Sequence, residues 1–164
     1  ACFPSKVLLQ THRCAVLIPL YGTVSLLSDD QYRLSFRGYD VAVVEPTVGE
    51  ALDAAQALLL EKIDERLKEG RSDIEPRALP GDSLFFFSVL LSVKVLLRRR
   101  CLEAGITTAE LSRRMGLRPI EASRILDLTH ATKIDTMERA LYAVGLELDF
   151  SVRPREDWDE TPYR

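Results

Sequence analysis

Short runs of apolar residues alternating with polar ones fill the first part of the chain. Residues 13–20 and 32–36 form two such runs, which glycine, serine and aspartate separate, and 41–44 form a third. β-branched and aromatic residues in this alternation are typical of strands. The pattern therefore predicts three short strands connected as a hairpin or meander.

A change to helical spacing follows directly. Pro46 ends the third strand, and Thr47 and Glu50 have the spacing of a capping box, so a helix is predicted to start there. Gly70 is a natural end for it. The predicted buried stripe consists of Ala51, Leu52, Ala55, Leu58, Leu59, Ile63 and Leu67. A proline-rich loop at 71–82 and a buried strand at 84–89 complete a β-β-β-α-β unit.

From residue 92 the apolar spacing is helical as far as residue 144. Helices are predicted at 92–104, 108–115, 119–127 and 135–144, and a short strand at 146–152. We therefore expect an α+β protein with three parts: a first domain at 1–90, a helical domain at 91–153, and a charged, flexible tail at 154–164.

The charge distribution adds a functional hint. The 164 residues carry a net charge of -3, but 1–91 and 135–164 each carry -4, whereas 92–134 carry +5. A local excess of arginine and lysine is expected where a protein meets phosphate groups. An ordinary solvated helix face would give the same excess, so the charge alone does not decide.

Several other classes of protein are not expected. The most apolar stretch, 84–97, is too short for a membrane span and contains Lys94, and the first ten residues lack a signal-peptide pattern, so a cytoplasmic protein is expected. The cysteines, Cys2, Cys14 and Cys101, have no paired spacing, and His12 and His130 are the only histidines. We therefore expect no disulfide, no metal site and no cofactor.

Residues 106–128 have the spacing of a helix-turn-helix. The predicted inward side of the first helix consists of Ile106, Ala109, Leu111 and Met115. Gly116 can adopt the positive φ that a tight turn requires, and Ile125 and Leu128 can close the core from the second helix. The alternative is an ordinary helical hairpin with a polar, solvated face.

The polar residues of this segment predict contacts with DNA. Thr107 or Thr108 can cap the first helix and leave its N-terminus facing a phosphate, and Pro119 suits the first position of the second helix. The predicted DNA-contacting residues of the two helices are Thr107, Thr108, Arg113, Arg114, Arg118, Ile120, Glu121, Ser123 and Arg124. The loop after them would touch the DNA backbone through Thr129, His130, Thr132 and Lys133. For His130, simple exposure to solvent is the alternative.

Three stretches of this half resemble HicB antitoxins of the helix-turn-helix type. They are Leu91-Ser-Val-Lys-Val-Leu-Leu, Gly105-Ile-Thr-Thr-Ala-Glu-Leu-Ser-Arg-Arg-Met-Gly and Leu128-Thr-His-Ala-Thr-Lys-Ile-Asp. The resemblance implies a first domain with a partial RNase H fold that covers a small, basic, mRNA-cleaving HicA toxin. It also implies repression of the operon that encodes both proteins, and assembly as a homodimer or homotetramer on operator DNA.

The first domain resembles the family in pattern rather than in motif. The family has a Gly-Gly-Tyr turn before its second strand and Pro-Asp-Leu-Pro-Gly-Cys after it. This chain has Asp29-Asp30-Gln31-Tyr32 and Phe36-Arg37-Gly38-Tyr39-Asp40 in those places. No residue is therefore assigned to toxin binding.

Two other functions would also fit parts of the sequence. A metal-dependent nuclease would need the acidic residues near the strand ends, Asp40, Glu45, Glu50 and Asp53, but no histidine or lysine stands beside them as a base, so an enzyme is not expected. A stand-alone helix-turn-helix regulator, whose first domain senses a ligand or dimerises, stays open. A neighbouring gene for a short basic protein would favour the antitoxin.

Overall fold

The structure, a computed structural model, describes residues 18–27, 30–74 and 78–149. Four strands come in the order β1 (Pro19–Leu26), β2 (Tyr32–Phe36), β3 (Val41–Glu45) and, after α1 (Val48–Lys68), β4 (Ser83–Phe86). Four helices follow: α2 (Val89–Glu103), α3 (Thr108–Met115), α4 (Pro119–Leu126) and α5 (Ile134–Ala143). The chain is thus an α+β protein, and the predicted order β-β-β-α-β is observed.

The strands form one antiparallel sheet in the order β3-β2-β1-β4. The helix α1 packs on one face of this sheet, where Leu20, Leu34 and Phe36 are fully buried. Thr47 caps α1, because its Oγ1 accepts the Glu50 N–H at 3.2 Å and its hydroxyl donates to the Glu50 carboxylate at 2.8 Å. The predicted start of this helix is confirmed.

The first strand extends further than predicted. Residues 13–17 of the predicted strand lie outside the described residues and 19–20 lie in β1, but β1 continues through Gly22 to Leu26, where the sequence pattern predicts a connection. A glycine is required at position 22 of this strand, because a Cβ there would lie 2.8 Å from the Ser35 carbonyl oxygen and 2.9 Å from the Phe36 ring. This glycine serves a close approach of neighbouring strands and not a turn.

The fourth strand also differs from its prediction, which placed a buried strand at 84–89. It ends at Phe86, lies at the edge of the sheet, and leaves Leu84 52% exposed. The helix α2 starts at Val89 and not at residue 92, because Ser88 Oγ accepts the Leu91 N–H at 3.4 Å and ends the extended segment. The apolar composition predicted burial, but side chains of a strand at the sheet edge have a neighbouring strand on one side only and are less covered.

The predicted strand at 146–152 is wrong for the described residues 146–149, which form no strand. Instead, Leu146 and Leu148 pack against the helical core. The rest of that segment and the predicted tail at 154–164 lie outside the described residues. Alternating apolar residues here fill gaps between helices and do not pair with a strand.

The helices of the second half enclose a core of their own, and α2 takes part in both cores. Val95 of α2 belongs to the core between the sheet and α1, here called the sheet–α1 core. Val93, Leu97 and Cys101 belong to the core among the helices of the second half, here called the helical core. Burial raises the pKa of the Cys101 thiol, as expected for a side chain that only fills the core. No helix within the described ranges is long and apolar enough to span a membrane.

Candidate nucleic-acid interface

The helices α3 and α4 are joined by a three-residue corner with a left-handed glycine. Gly116 has φ of 65°, and the Leu117 N–H donates to the Ser112 carbonyl at 3.0 Å. The Ser112 hydroxyl in turn donates to the Leu117 carbonyl at 2.6 Å. Both helices occupy their predicted positions, except that α4 ends at Leu126 and not at Asp127.

The inward faces of α3 and α4 are mostly as predicted. Leu111 and Ile125 are buried in the helical core, and Ile106 and Met115 pack against it. Ala109 was predicted to face inward but is exposed, and the buried positions that the pattern missed are Ser112 and Ala122. The serine can be buried because its hydroxyl is satisfied within the corner.

The first turn of α3 is capped by Thr107. Its Oγ1 accepts the Glu110 N–H at 3.2 Å, and Thr108 is the first helical residue. Of the two threonines proposed as the cap, Thr107 therefore has that role.

Both arginines at the end of α3 are tied to a single carboxylate. Arg113 and Arg114 donate to Glu110 at 2.8 Å and 2.7 Å, and Arg114 also donates to the Ala143 carbonyl at 3.1 Å. The hydrogen bond from Arg113, with that from Arg114, lowers the pKa of Glu110 to about 2. Their charges are thus partly balanced within the helix, which weakens them as phosphate ligands compared with unpaired arginines.

At the start of α4, Glu121 turns back to the helix terminus. Its Oε2 accepts the Arg118 backbone N–H at 2.9 Å and the Arg118 Nε at 3.1 Å, and the hydrogen bond from the Arg118 side chain lowers the pKa of Glu121. Arg118 itself is 77% exposed. Glu121 thus orients Arg118 at the helix N-terminus, a role that its predicted contact with a base did not include.

The outer surface of α4 carries further exposed side chains of the predicted site. Ile120 is 55% exposed, and Ser123 and Arg124 are exposed. Arg124 forms no ion pair with another described residue. This surface therefore offers an aliphatic group, a hydroxyl and a guanidinium to any partner that approaches α4.

The loop after α4 is held by its own hydrogen bonds. Asp127 Oδ1 accepts the Thr129 N–H at 2.9 Å and the Thr129 hydroxyl at 2.8 Å, and these bonds lower the pKa of Asp127. The Thr132 hydroxyl donates to the His130 carbonyl at 3.4 Å. Of the predicted loop residues, Thr129, His130 and Lys133 are exposed and Thr132 is half-buried.

Known proteins align with most of this chain. Antitoxin HicB of Escherichia coli is 37% identical over 130 residues, which are 77% of this chain and 93% of that protein. Antitoxin HicB 1 of Photorhabdus laumondii is 32% identical over 133 residues, covering 79% of this chain and 84% of the relative. The chain belongs to the HicB antitoxin family. Antitoxin HicB 2 of the same bacterium is 38% identical over 100 residues, 61% of this chain and 71% of the relative.

No protein-family model matches the chain, so its membership of the HicB family stands on these relatives. They are named antitoxins, and this places the HicB chain among the antitoxins of toxin–antitoxin systems. The alignment agrees with the resemblance stated above from the helical half.

The acidic residues that a metal-dependent nuclease would need have other surroundings in this chain. Glu50 bonds the cap of α1, Asp40 is exposed in a left-handed turn with φ of 54°, and Asp53 lies on the exposed side of α1. Glu45 ends β3. Within 18–27, 30–74 and 78–149, no three His, Cys, Asp or Glu side chains are grouped so that they could hold a metal ion.

Sequence reasoning missed two residues that organise the site. Lys94 of α2 is buried and donates to the Asp127 carbonyl at 2.6 Å, and Asp127 anchors the loop. A lysine inside the most apolar stretch of the chain was the available signal, because a buried ammonium needs specific acceptors.

Proposed function

We propose that this antitoxin binds and neutralises a small basic HicA toxin that cleaves mRNA, and that it represses its own operon. Residues 1–90 would cover the toxin through a partial RNase H-like domain, and residues 91–153 would bind operator DNA. The net charge of -4 over 1–91 suits a basic partner. Both activities are binding activities, and neither requires catalysis by this chain.

The DNA-binding part rests on one observation: α3 and α4 bury one face and present the other to solvent around a glycine corner. A second helix packed in this way can enter the major groove with its N-terminal residues toward the bases. Arg118 and Arg124 are the exposed cations of this helix, and arginine pairs well with guanine. We propose that α3 and α4 form a DNA-binding helix-turn-helix.

The remaining predicted residues divide by what they can contact. Ile120 and Ser123 lie on α4 beside the arginines and would meet base edges. The backbone of the DNA would be held by the α3 terminus and by the loop, which supply Thr107, Thr108, Arg113, Arg114, Thr129, His130, Thr132 and Lys133. Glu121 would act through Arg118, because its Oε2 is already engaged there.

Two copies of the motif would be required to bind a palindromic operator, so we propose a homodimer or homotetramer as the DNA-binding form. In that form the two α4 helices would lie about one helical turn of DNA apart. Analytical ultracentrifugation of the free protein and of its operator complex tests this directly, and a monomer that binds the operator with full affinity would contradict it.

The DNA interface is tested by three alanine variants measured on operator DNA and on random DNA. Arg124→Ala is expected to weaken operator binding by about tenfold or more and to relax preference at one base pair. Lys133→Ala should weaken both DNAs alike and lower the salt slope by about one. Arg33→Ala, which removes an exposed charge from β2, is the matched control and should change neither. Equal affinities of all variants and the wild type would remove the proposed interface.

The toxin part is tested separately by co-expression with the short basic protein encoded next to this gene. Growth arrest by that protein, relieved by this antitoxin, and a stable complex of the two on gel filtration are the expected results. A chain that represses its promoter but has no such neighbour, and forms no such complex, would instead be a stand-alone regulator.

A further inference from the structure

Lys94 is a charged residue that lies buried within the described part of the chain. It is 3% exposed and lies in α2 between Val93, which belongs to the helical core, and Val95, which belongs to the sheet–α1 core. Burying an ammonium group in apolar surroundings is costly unless its protons are bonded. This burial lowers the pKa of Lys94. The ammonium therefore depends on the acceptors that surround it.

Among the described residues, Lys94 donates to two peptide carbonyls of the loop after α4. Its Nζ donates to the Asp127 carbonyl at 2.6 Å and to the His130 carbonyl. Asp127 is the C-cap of α4, where unpaired carbonyls leave the negative end of the helix dipole. One ammonium thus holds both ends of the four-residue turn 127–130.

The same turn is anchored on its apolar side by Leu128. This residue is 5% exposed and packs in the sheet–α1 core, whereas Ile125, one turn earlier, packs in the helical core. The chain therefore crosses from one core to the other at the turn that Lys94 holds. The position of this turn relative to α4 is therefore determined by Leu128 on one side and by Lys94 on the other.

Given the DNA binding proposed above, we propose that Lys94 is a positioning residue for the DNA-contacting loop. It holds residues 129–133 in a fixed place relative to α4, so that the loop and the helix meet the DNA in register. The ammonium is hidden from solvent and cannot meet a phosphate, so its effect on binding passes entirely through the loop.

This role separates Lys94 from the exposed lysine of the loop. The variant Lys94→Met keeps the apolar stem and removes the donors, and Lys133→Met removes one exposed charge as a matched control. Lys94→Met is expected to weaken binding to operator and random DNA by about tenfold or more and to lower the salt slope by at least about one, because the loop that it releases carries Lys133 and the other backbone contacts. Lys133→Met should weaken both DNAs and lower the slope by about one. All measurements are made at a temperature where circular dichroism gives both variants as folded.

A second measurement needs no DNA. Amide hydrogen exchange within 129–133 should be about tenfold faster or more in Lys94→Met than in the wild type, while amides of the sheet keep their protection. Wild-type exchange together with wild-type operator affinity would overturn the proposal. Weakened DNA binding with wild-type exchange would also overturn it, because the loss would then not pass through the loop.

Two further outcomes are separable. If the wild type binds no DNA but the loop of Lys94→Met exchanges faster, the DNA-binding function fails and the positioning of the loop stands. If Lys94→Met does not fold, Lys94→Gln decides, because its shorter, neutral amide cannot bond both carbonyls as the ammonium does. Operator affinity and loop exchange that are both unchanged in Lys94→Gln would then overturn the proposal.

Discussion

At the scale of the residue, several side chains have roles that their type alone does not give. Gly22 lies in the middle of a strand, where the Ser35 carbonyl and the Phe36 ring leave no room for a Cβ. Glu121, predicted to meet a base, also bonds Arg118 at the start of α4. Lys94, which composition marks only as a charge, bonds two carbonyls of a distant loop. The contacts of Gly22 and Lys94 are with residues far away in the sequence, and the carboxylate of Glu121 is directed back to the start of its own helix.

The space at Gly22 leads to a stability prediction. Gly22→Ala is expected to lower the free energy of unfolding by about 1–3 kcal/mol, because the added methyl group would press on a backbone oxygen that cannot move away cheaply. Urea unfolding measures the change. Ser25→Ala, at an exposed position of the same strand, is the control and should stay within about 0.5 kcal/mol of the wild type. Full stability of Gly22→Ala would mean that the strands separate easily at this point.

At the scale of the element, helix ends were the most predictable features. Thr47, Thr107 and Gly116 cap or end helices at positions that their chemistry predicts. A threonine oxygen accepts a free N–H of the first turn, and a glycine tolerates positive φ, whatever surrounds them. Strand ends were less predictable, because β1 and β4 are determined by pairing with distant neighbours.

The ion pairs of α3 lead to a pH prediction. The folded-state pKa of Glu110 is lowered from 4.5 to about 2 by hydrogen bonds from Arg113 and Arg114. A lowered carboxyl pKa stabilises the folded state above pH 4.5, and this contribution is lost as pH falls toward 2. When the pH is lowered from 6 to about 3, the Tm of Glu110→Gln should therefore fall less than the Tm of the wild type.

The matched control for that experiment is Glu61→Gln, at an exposed position of α1. Its Tm should follow the wild type across the same range of pH. If Glu110→Gln also follows the wild type, the arginines of α3 do not hold this carboxylate in solution, and both of their charges are then available for DNA.

At the scale of the whole molecule, the two halves of the chain are joined by shared hydrophobic packing and by an ion pair. The helix α2 supplies residues to both cores, Leu128 of the second half packs in the first core, and Arg98 of α2 is paired with Asp64 of α1. Burial raises the pKa of Asp64, but hydrogen bonds from Lys68 and Arg98 outweigh it and the net shift is downward. We therefore expect the described part of the chain to unfold as one cooperative unit.

The variant Leu128→Ala tests this expectation. Removing a buried leucine should lower the free energy of unfolding by about 2–5 kcal/mol. Because the cores are coupled, hydrogen-exchange protection should fall in the sheet and in α5 alike. Leu58→Ala, at a partly exposed position of α1, is the control and should have a far smaller effect. Loss of protection in one half alone would show two independent units.

The candidate site illustrates how far sequence reasoning reaches. The bounds of α3 and the start of α4 were predicted, as were the exposed positions of Arg118 and Arg124. Helical spacing and turn chemistry are local, and local rules suffice for them. The pairing of both α3 arginines with Glu110 and the engagement of Glu121 were not predicted, because several partners lie within reach of each charge.

The hydrophobic pattern, the caps and the glycines of this chain specify its helices, the sites of its turns and the order of its elements, because these depend on residues only a few positions apart. Tertiary packing decided the rest: the extent of β1 and β4, the exposure of the edge strand, the absence of a strand at 146–149, and the burial of Lys94 beneath the loop. These features depend on pairing and burial between segments far apart in the chain, and no local pattern records which segments meet.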